Sequence, residues 1–170
     1  MSGLKGPPAP IECHVRCDLI VSPDFLRQIW AWTRAIRTEM SALAEIEVRE
    51  GVIHVPNALH ATKQSNTMGS TALDMQSVAE LVETFMRTGR NPGRLRLWFH
   101  THCDFSAFFS GIDDATIEEL LKWMNPLVAV VANTHGETRW RVVQTGLHVI
   151  DWDLKIPQEL APSKADVIAA

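Results

Sequence analysis

The sequence predicts an α/β domain. Three stretches carry apolar side chains at helical spacing, and between them lie short runs rich in β-branched and aromatic residues. The unbroken apolar run Leu127 to Ala132 reads as a central strand covered on both faces. At 170 residues the chain is long enough to bury one core without disulfides or metal as staples. The expected division is a loose leader over 1–10, one domain over 11–156 and a tail over 157–170.

The leader is rich in Gly and Pro. Glu12 to Val21 reads as a strand, with Cys13, Val15, Cys17 and Leu19 on one face. Cys13 and Cys17 are expected to pack there, rather than join His14 in a metal site. Ser22-Pro23 starts a helix that runs to about Arg37 on the stripe Phe25, Leu26, Ile29, Trp30, Thr33 and Ile36. Strands are expected over Leu43 to Glu50 and Val52 to Leu59, forming a hairpin that turns at Glu50-Gly51. His60 to Thr71 is a polar, small-residue loop, long enough to suggest a function.

The second helix spans Asp74 to Thr88 and stops at Gly89. Arg94 to Phe99 is a strand. A third helix, Asp113 to about Met124, carries Ile117, Leu120, Leu121 and Met124, and Pro126 ends it. After the central run, Asn133 to Gly136 turns the chain into Glu137 to Gln144, and Leu147 to Leu154 adds a last strand. The tail shows no pattern.

A formal charge of −4 and a pI near 5.9 leave no basic face for nucleic acid. No apolar run is long enough to span a bilayer, and no secretory h-region is visible near the start. Three cysteines make no disulfide framework, so a cytoplasmic location is expected.

The chemistry concentrates in one place. His100 and His102 follow a β-prone run one residue apart, so in extended backbone both imidazoles face the same side. Ser110 and Asp113 stand at the head of the third helix. Two imidazoles, one carboxylate and an open fourth position suit a catalytic zinc. A plainer account explains part of this: Ser110 caps the helix and Asp113 sits in its first turn. It gives no reason for two histidines on one face.

The spacing His-x-His-x(7)-Ser-x(2)-Asp, at His100, His102, Ser110 and Asp113, resembles the JAMM motif of the MPN (Mov34/JAB) metalloprotease family. Glu39-Met-Ser-Ala-Leu-Ala44 resembles that family's upstream Glu-x-Ser-Gly-Leu-Gly pattern, with alanines where glycines are usual. The likeness runs from about Ser22 to Leu154 and is nearest to prokaryotic and phage-type JAB domains. It implies an MPN (JAB, cytidine-deaminase-like) α/β fold, a mixed central sheet flanked by about three helices.

The resemblance further implies one Zn2+ held by His100, His102 and Asp113, with Glu39 as general base and Ser110 as oxyanion donor. Glu45 and Glu47 are the alternative bases, though alternation places them on one solvated strand face. The part of the polar loop from Thr62 to Thr71 matches the family's first insertion, so Ser65, Asn66, Thr67, Met68, Gly69, Ser70 and Thr71 are expected to line the substrate. The second insertion is nearly absent. The implied substrate is the tail of a ubiquitin-like protein or its conjugate, processed beside E1- and E2-like enzymes, as in bacterial antiviral defence. Two alternatives are a phage-type protease acting on a structural protein and a metal-free scaffold. Cys103 stands where the family usually has proline, which would fix the backbone there.

Overall fold

The computed structural model describes residues 19–56, 59–66, 69, 71–145 and 150–169. The expected strand upstream of Leu19, with Cys13, His14 and Cys17, lies outside them, as do Thr67, Met68, Ser70 and 147–149.

β1 is Leu19–Val21. α1, Pro23–Ala35, starts as expected: the Ser22 hydroxyl accepts from Phe25 N and proline takes the first turn. The expected strand Leu43 to Glu50 is two strands in different sheets. β2 is Ser41–Glu45 and β3 is Glu47–Arg49, with Ile46 breaking the run between them. β3 pairs with β4, Val52–Val55, across a turn in which Glu50 and Gly51 both have positive φ, as the right-handed twist of a tight hairpin demands.

The expected loop after Leu59 holds regular structure. β5 is Leu59–His60, β6 is Gln64–Asn66, and β6 forms a small antiparallel ribbon with β7, Thr71–Leu73. α2, Met75–Arg87, is capped by the Asp74 carboxylate. β8 is Leu95–Thr101, α3 is Gly111–Leu120, β9 is Leu127–Ala132 and β10 is Glu137–Val143. β11 is Ile150–Lys155. The segment expected as an unpatterned tail carries α4, Lys164–Ala169, which lies against α1. Its six residues are too few for a periodicity to be read.

The main sheet is six-stranded and mixed, in the order β11-β10-β9-β8-β2-β5. β8 and β9 are parallel and α3 connects them, while the other neighbours are antiparallel. One face packs against α1 through Phe25, Ile29, Leu97, Phe99, Val128 and Val130. The other packs against α2 and α3 through Val78, Phe85, Trp98, Ile117 and Leu120. Helices on both faces leave β9 wholly buried, which is why its sequence does not alternate. The fold is therefore mixed α/β with a large mixed sheet, the coarse form of the expectation.

The register between β2 and β8 slips by one residue past Ala44. Leu95 thereby joins Trp98 on the α2–α3 face, while Leu97 and Phe99 face α1.

Candidate metal centre

The site begins with the pleat. Trp98 faces α2 and α3, so His100 and His102 follow it on the same side. The His100 ring stacks on Trp98 at 4.3 Å between centroids, and the Trp98 indole N–H donates to Ser41 Oγ. Ser41 is paired opposite His100, so continuing the antiparallel register sets Glu39 opposite His102. That register continues beyond the end of β2, because Thr101 N donates to Met40 O and Met40 N donates to Thr101 Oγ1. Two neighbouring chain segments thus deliver the histidines and Glu39 to one place.

The head of α3 supplies the carboxylate. Ser110 Oγ accepts from Asp113 N at 3.3 Å, while Ser110 N and Oγ both donate to Asp113 Oδ2, at 2.6 and 2.8 Å. This is a capping box with aspartate in place of glutamate. The plain capping account and the ligand account are compatible, since the cap is what aims the carboxylate. Asp113 Oδ1 lies 3.1 Å from His100 Nε2, and Oδ2 lies 3.5 Å from His102 Nε2.

His100 is fully buried, and His102, Asp113 and Glu39 are 4%, 6% and 7% exposed. His102 Nδ1 lies 3.0 Å from Ser106 O. A carbonyl can only accept, so the proton sits on Nδ1 and Nε2 presents its lone pair toward Asp113. The 3.1 Å approach of His100 Nε2 to Asp113 lacks hydrogen-bond geometry, which leaves both His100 ring nitrogens buried without a hydrogen-bond partner. Such orphaned groups cost about 1–3 kcal/mol each. A cation at Nε2 would remove one of them.

Charge follows geometry. Burial pulls the Asp113 carboxyl upward, but contact with His100, His102 and the Ser110 N–H outweighs it and holds the group well below the usual range. Burial dominates at His100 and keeps its pKa low, whereas at His102 the Asp113 carboxylate and Ser106 carbonyl overcome burial and raise it. Glu39 is raised, mainly by burial, with the Asp113 charge adding to it against His102.

Two neutral-capable imidazoles and an ionised carboxylate form a donor set that can hold a metal ion, their ligand atoms all within 4.8 Å of one another. Among the described residues it is the one such group. Zinc bonds of 2.0–2.1 Å at tetrahedral angles set ligand atoms about 3.3 Å apart; Asp113 Oδ1 lies 3.1 Å from His100 Nε2, close to that spacing, while the 3.5 Å separation from His102 Nε2 is to the other oxygen, Oδ2.

The other expected site residues are placed differently. The one Ser110 hydroxyl proton goes to Asp113 rather than to open space. Glu45 is at the far end of β2, in ion pairs with Arg90 and Arg94 and near His60, so it is neither at the site nor fully solvated. Glu47 is in the small sheet, paired with Arg49. Cys103 is outside the ligand group, and its φ of 48° is a conformation proline cannot adopt. The departure from the family's usual proline thus coincides with a backbone that excludes proline.

Ser65 and Asn66 lie on β6, Thr71 begins β7, and Gly69 is in the turn between them. Gln64, which sequence reading passed over, ties this ribbon to the site. Its amide accepts from Ser41 N at 2.5 Å and donates to Ser41 O at 2.7 Å, acting like one residue of a neighbouring strand. No local pattern marks such a contact. A cleft of 680 Å³ opens between the ribbon and α3, lined mainly by apolar side chains that include Leu73, Met75, Ile112 and Trp123. Ser41 and Thr71 line it too, whereas Ser65 and Gly69 do not.

No protein-family model matches the chain, and no curated protein does. Among solved structures, the chain is similar to the solution structure of protein DSY2949 from Desulfitobacterium hafniense. The TM-score is 0.59 at 13% identity, covering 79% of this chain and 89% of that one. This likeness concerns the fold alone. Among the described residues, no helix is long and apolar enough to cross a membrane.

Proposed function

We propose that the chain is a zinc metallopeptidase of the JAMM/MPN type, with an MPN fold. It acts in the cytoplasm and hydrolyses the peptide or isopeptide bond after the tail of a ubiquitin-like protein. The observation that carries the reading is the convergence of His100, His102 and Asp113, the orphaned His100 Nε2 included, on a point beside Glu39. His100 and His102 through Nε2, and Asp113 through a carboxylate oxygen, would hold the ion. Zinc in such a site polarises a carbonyl and acidifies water.

The residues of the chain do the rest. Glu39, raised by burial and set opposite His102, takes the proton of the attacking water on its carboxylate and passes it to the leaving amine. Ser110 keeps Asp113 aimed; to donate to an oxyanion it would first release Asp113 Oδ2. The cleft between the β6–β7 ribbon and α3 takes an extended tail, with its apolar walls receiving alternate side chains.

Metal analysis of the purified protein and of Asp113→Asn tests the reading, together with cleavage of a ubiquitin-like fusion. A stoichiometric zinc lost in Asp113→Asn, with cleavage lost alongside, is the expected result. A metal-free parent protein would leave only a scaffold.

A further inference from the structure

Arg141 projects from β10 toward the head of α3 and is 18% exposed at its side chain. Its Nε and one terminal nitrogen donate to Asp151 Oδ1 and Oδ2 at 2.8 and 2.9 Å, a planar fork onto β11. The other terminal nitrogen donates to Asp114 Oδ1 at 2.5 Å. The guanidinium carbon also lies 4.3 Å from the centroid of the Phe109 ring, and that ring packs against His100 at 6.0 Å. Both ends of this clamp abut the metal centre. Asp114 follows Asp113, and Phe109 precedes Ser110, which holds the Asp113 carboxylate.

We propose that Arg141 is a positioning residue for the metal centre. Through Asp114 it fixes the first turn of α3, and through Phe109 it presses an aromatic wall onto His100. Both contacts together set where Asp113 Oδ1 meets His100 Nε2. Asp151 pre-aligns the guanidinium, because the two residues are directly opposed in the β10–β11 register. An ammonium cannot make the fork, reach Asp114 and lie over a ring at once, so lysine is not an equivalent. An arginine kept only for stability would need neither contact with the residues flanking Ser110 and Asp113.

The proposal rests on the metal reading above, and its test separates the two. Arg141→Met, Arg141→Lys and Asp114→Asn are compared with the parent protein in three measurements. These are zinc affinity by competition with a chelating dye, the visible spectrum with cobalt(II), and thermal unfolding without metal. Arg141→Met should bind zinc roughly 10–100-fold more weakly, the range seen when a group that orients a ligand is lost. Its cobalt bands should shift, Arg141→Lys should not restore them, and Asp114→Asn should weaken zinc in the same direction by a smaller factor. A folded Arg141→Met with zinc affinity within about twofold of the parent and an unchanged cobalt spectrum overturns the proposal, even if its unfolding temperature falls. Should Arg141→Met not fold, unchanged affinity and spectrum in Asp114→Asn overturn it instead. A parent protein that binds neither ion defeats the metal reading itself, and this proposal with it.

Discussion

At the scale of single residues, one buried site sets a carboxylate held ionised beside a carboxyl whose pKa is raised. Asp113 takes the first role because two imidazoles and a helix cap surround it. Glu39 takes the second because burial dominates there. Glu39→Gln should therefore retain zinc at parental stoichiometry and lose cleavage by a factor of about 10²–10⁴, the usual loss when a general base is removed. Retained turnover would remove Glu39 from the mechanism. Cys103 gives a prediction of another kind. Its φ of 48° disfavours any residue with a Cβ, so Cys103→Gly should stabilise by about 1 kcal/mol. Cys103→Pro should destabilise by more than about 1 kcal/mol. Urea unfolding of the two variants checks the sign of each.

Elements contribute by tying chain segments that propensity alone would leave separate. The β9–β10 turn ends at Gly136, with φ of 77°, and a Cβ there would lie 2.7 Å from the Trp30 ring of α1. That ring is fixed by its N–H donating to Thr134 O, so it cannot easily yield. Gly136→Ala should cost about 2 kcal/mol or more, from left-handed strain and overpacking together. An unchanged unfolding midpoint would mean the ring swings clear. At the other end of the sheet, β10 and β11 exchange Arg141 and Arg139 with Asp151. Burial raises Asp151, but the two guanidiniums outweigh it and its pKa is lowered. A lowered carboxylate contributes stability that is whole above the unfolded value of about 3.9 and declines as pH falls through the folded one. Asp151→Asn should thus flatten the loss of stability below about pH 4, measured by unfolding across an acid series.

For the whole molecule, a ligand that binds the folded state alone adds stability by mass action. On the proposed reading, zinc at a hundred times its dissociation constant should add about 2.7 kcal/mol, or about 5–10 °C in a chain of this size. Asp113→Asn should abolish that shift, and scanning calorimetry with and without zinc decides it. The arrangement that makes this possible is large: α1 leads into Glu39, β2 and β8 set the register, and α3 returns to close the site between β8 and β9.

Much of this was legible along the chain. The α1 stripe and the His-x-His pair depend on periods of 3.6 and two residues, the capped start of α1 and the glycine stop of α2 on turn chemistry, and β9 on an unbroken apolar run, all of which are local. Ser110 and Asp113 at a helix head follow from capping chemistry in the same way. The break at Ile46 and the Gln64 clamp on Ser41 were not legible, because each is fixed by a partner remote in sequence, and the β6–β7 ribbon was not, because its strands of three residues are too short to show an alternation. Sequence alone thus determined which side chains are fit to ligate and on which face of their own element they lie. Only the tertiary structure decided that Glu39 stands opposite His102, that the Ser110 hydroxyl is committed to Asp113, and that Arg141 reaches the head of α3. Those are facts of strand register and packing, set by contacts between segments tens of residues apart, and no local period encodes them.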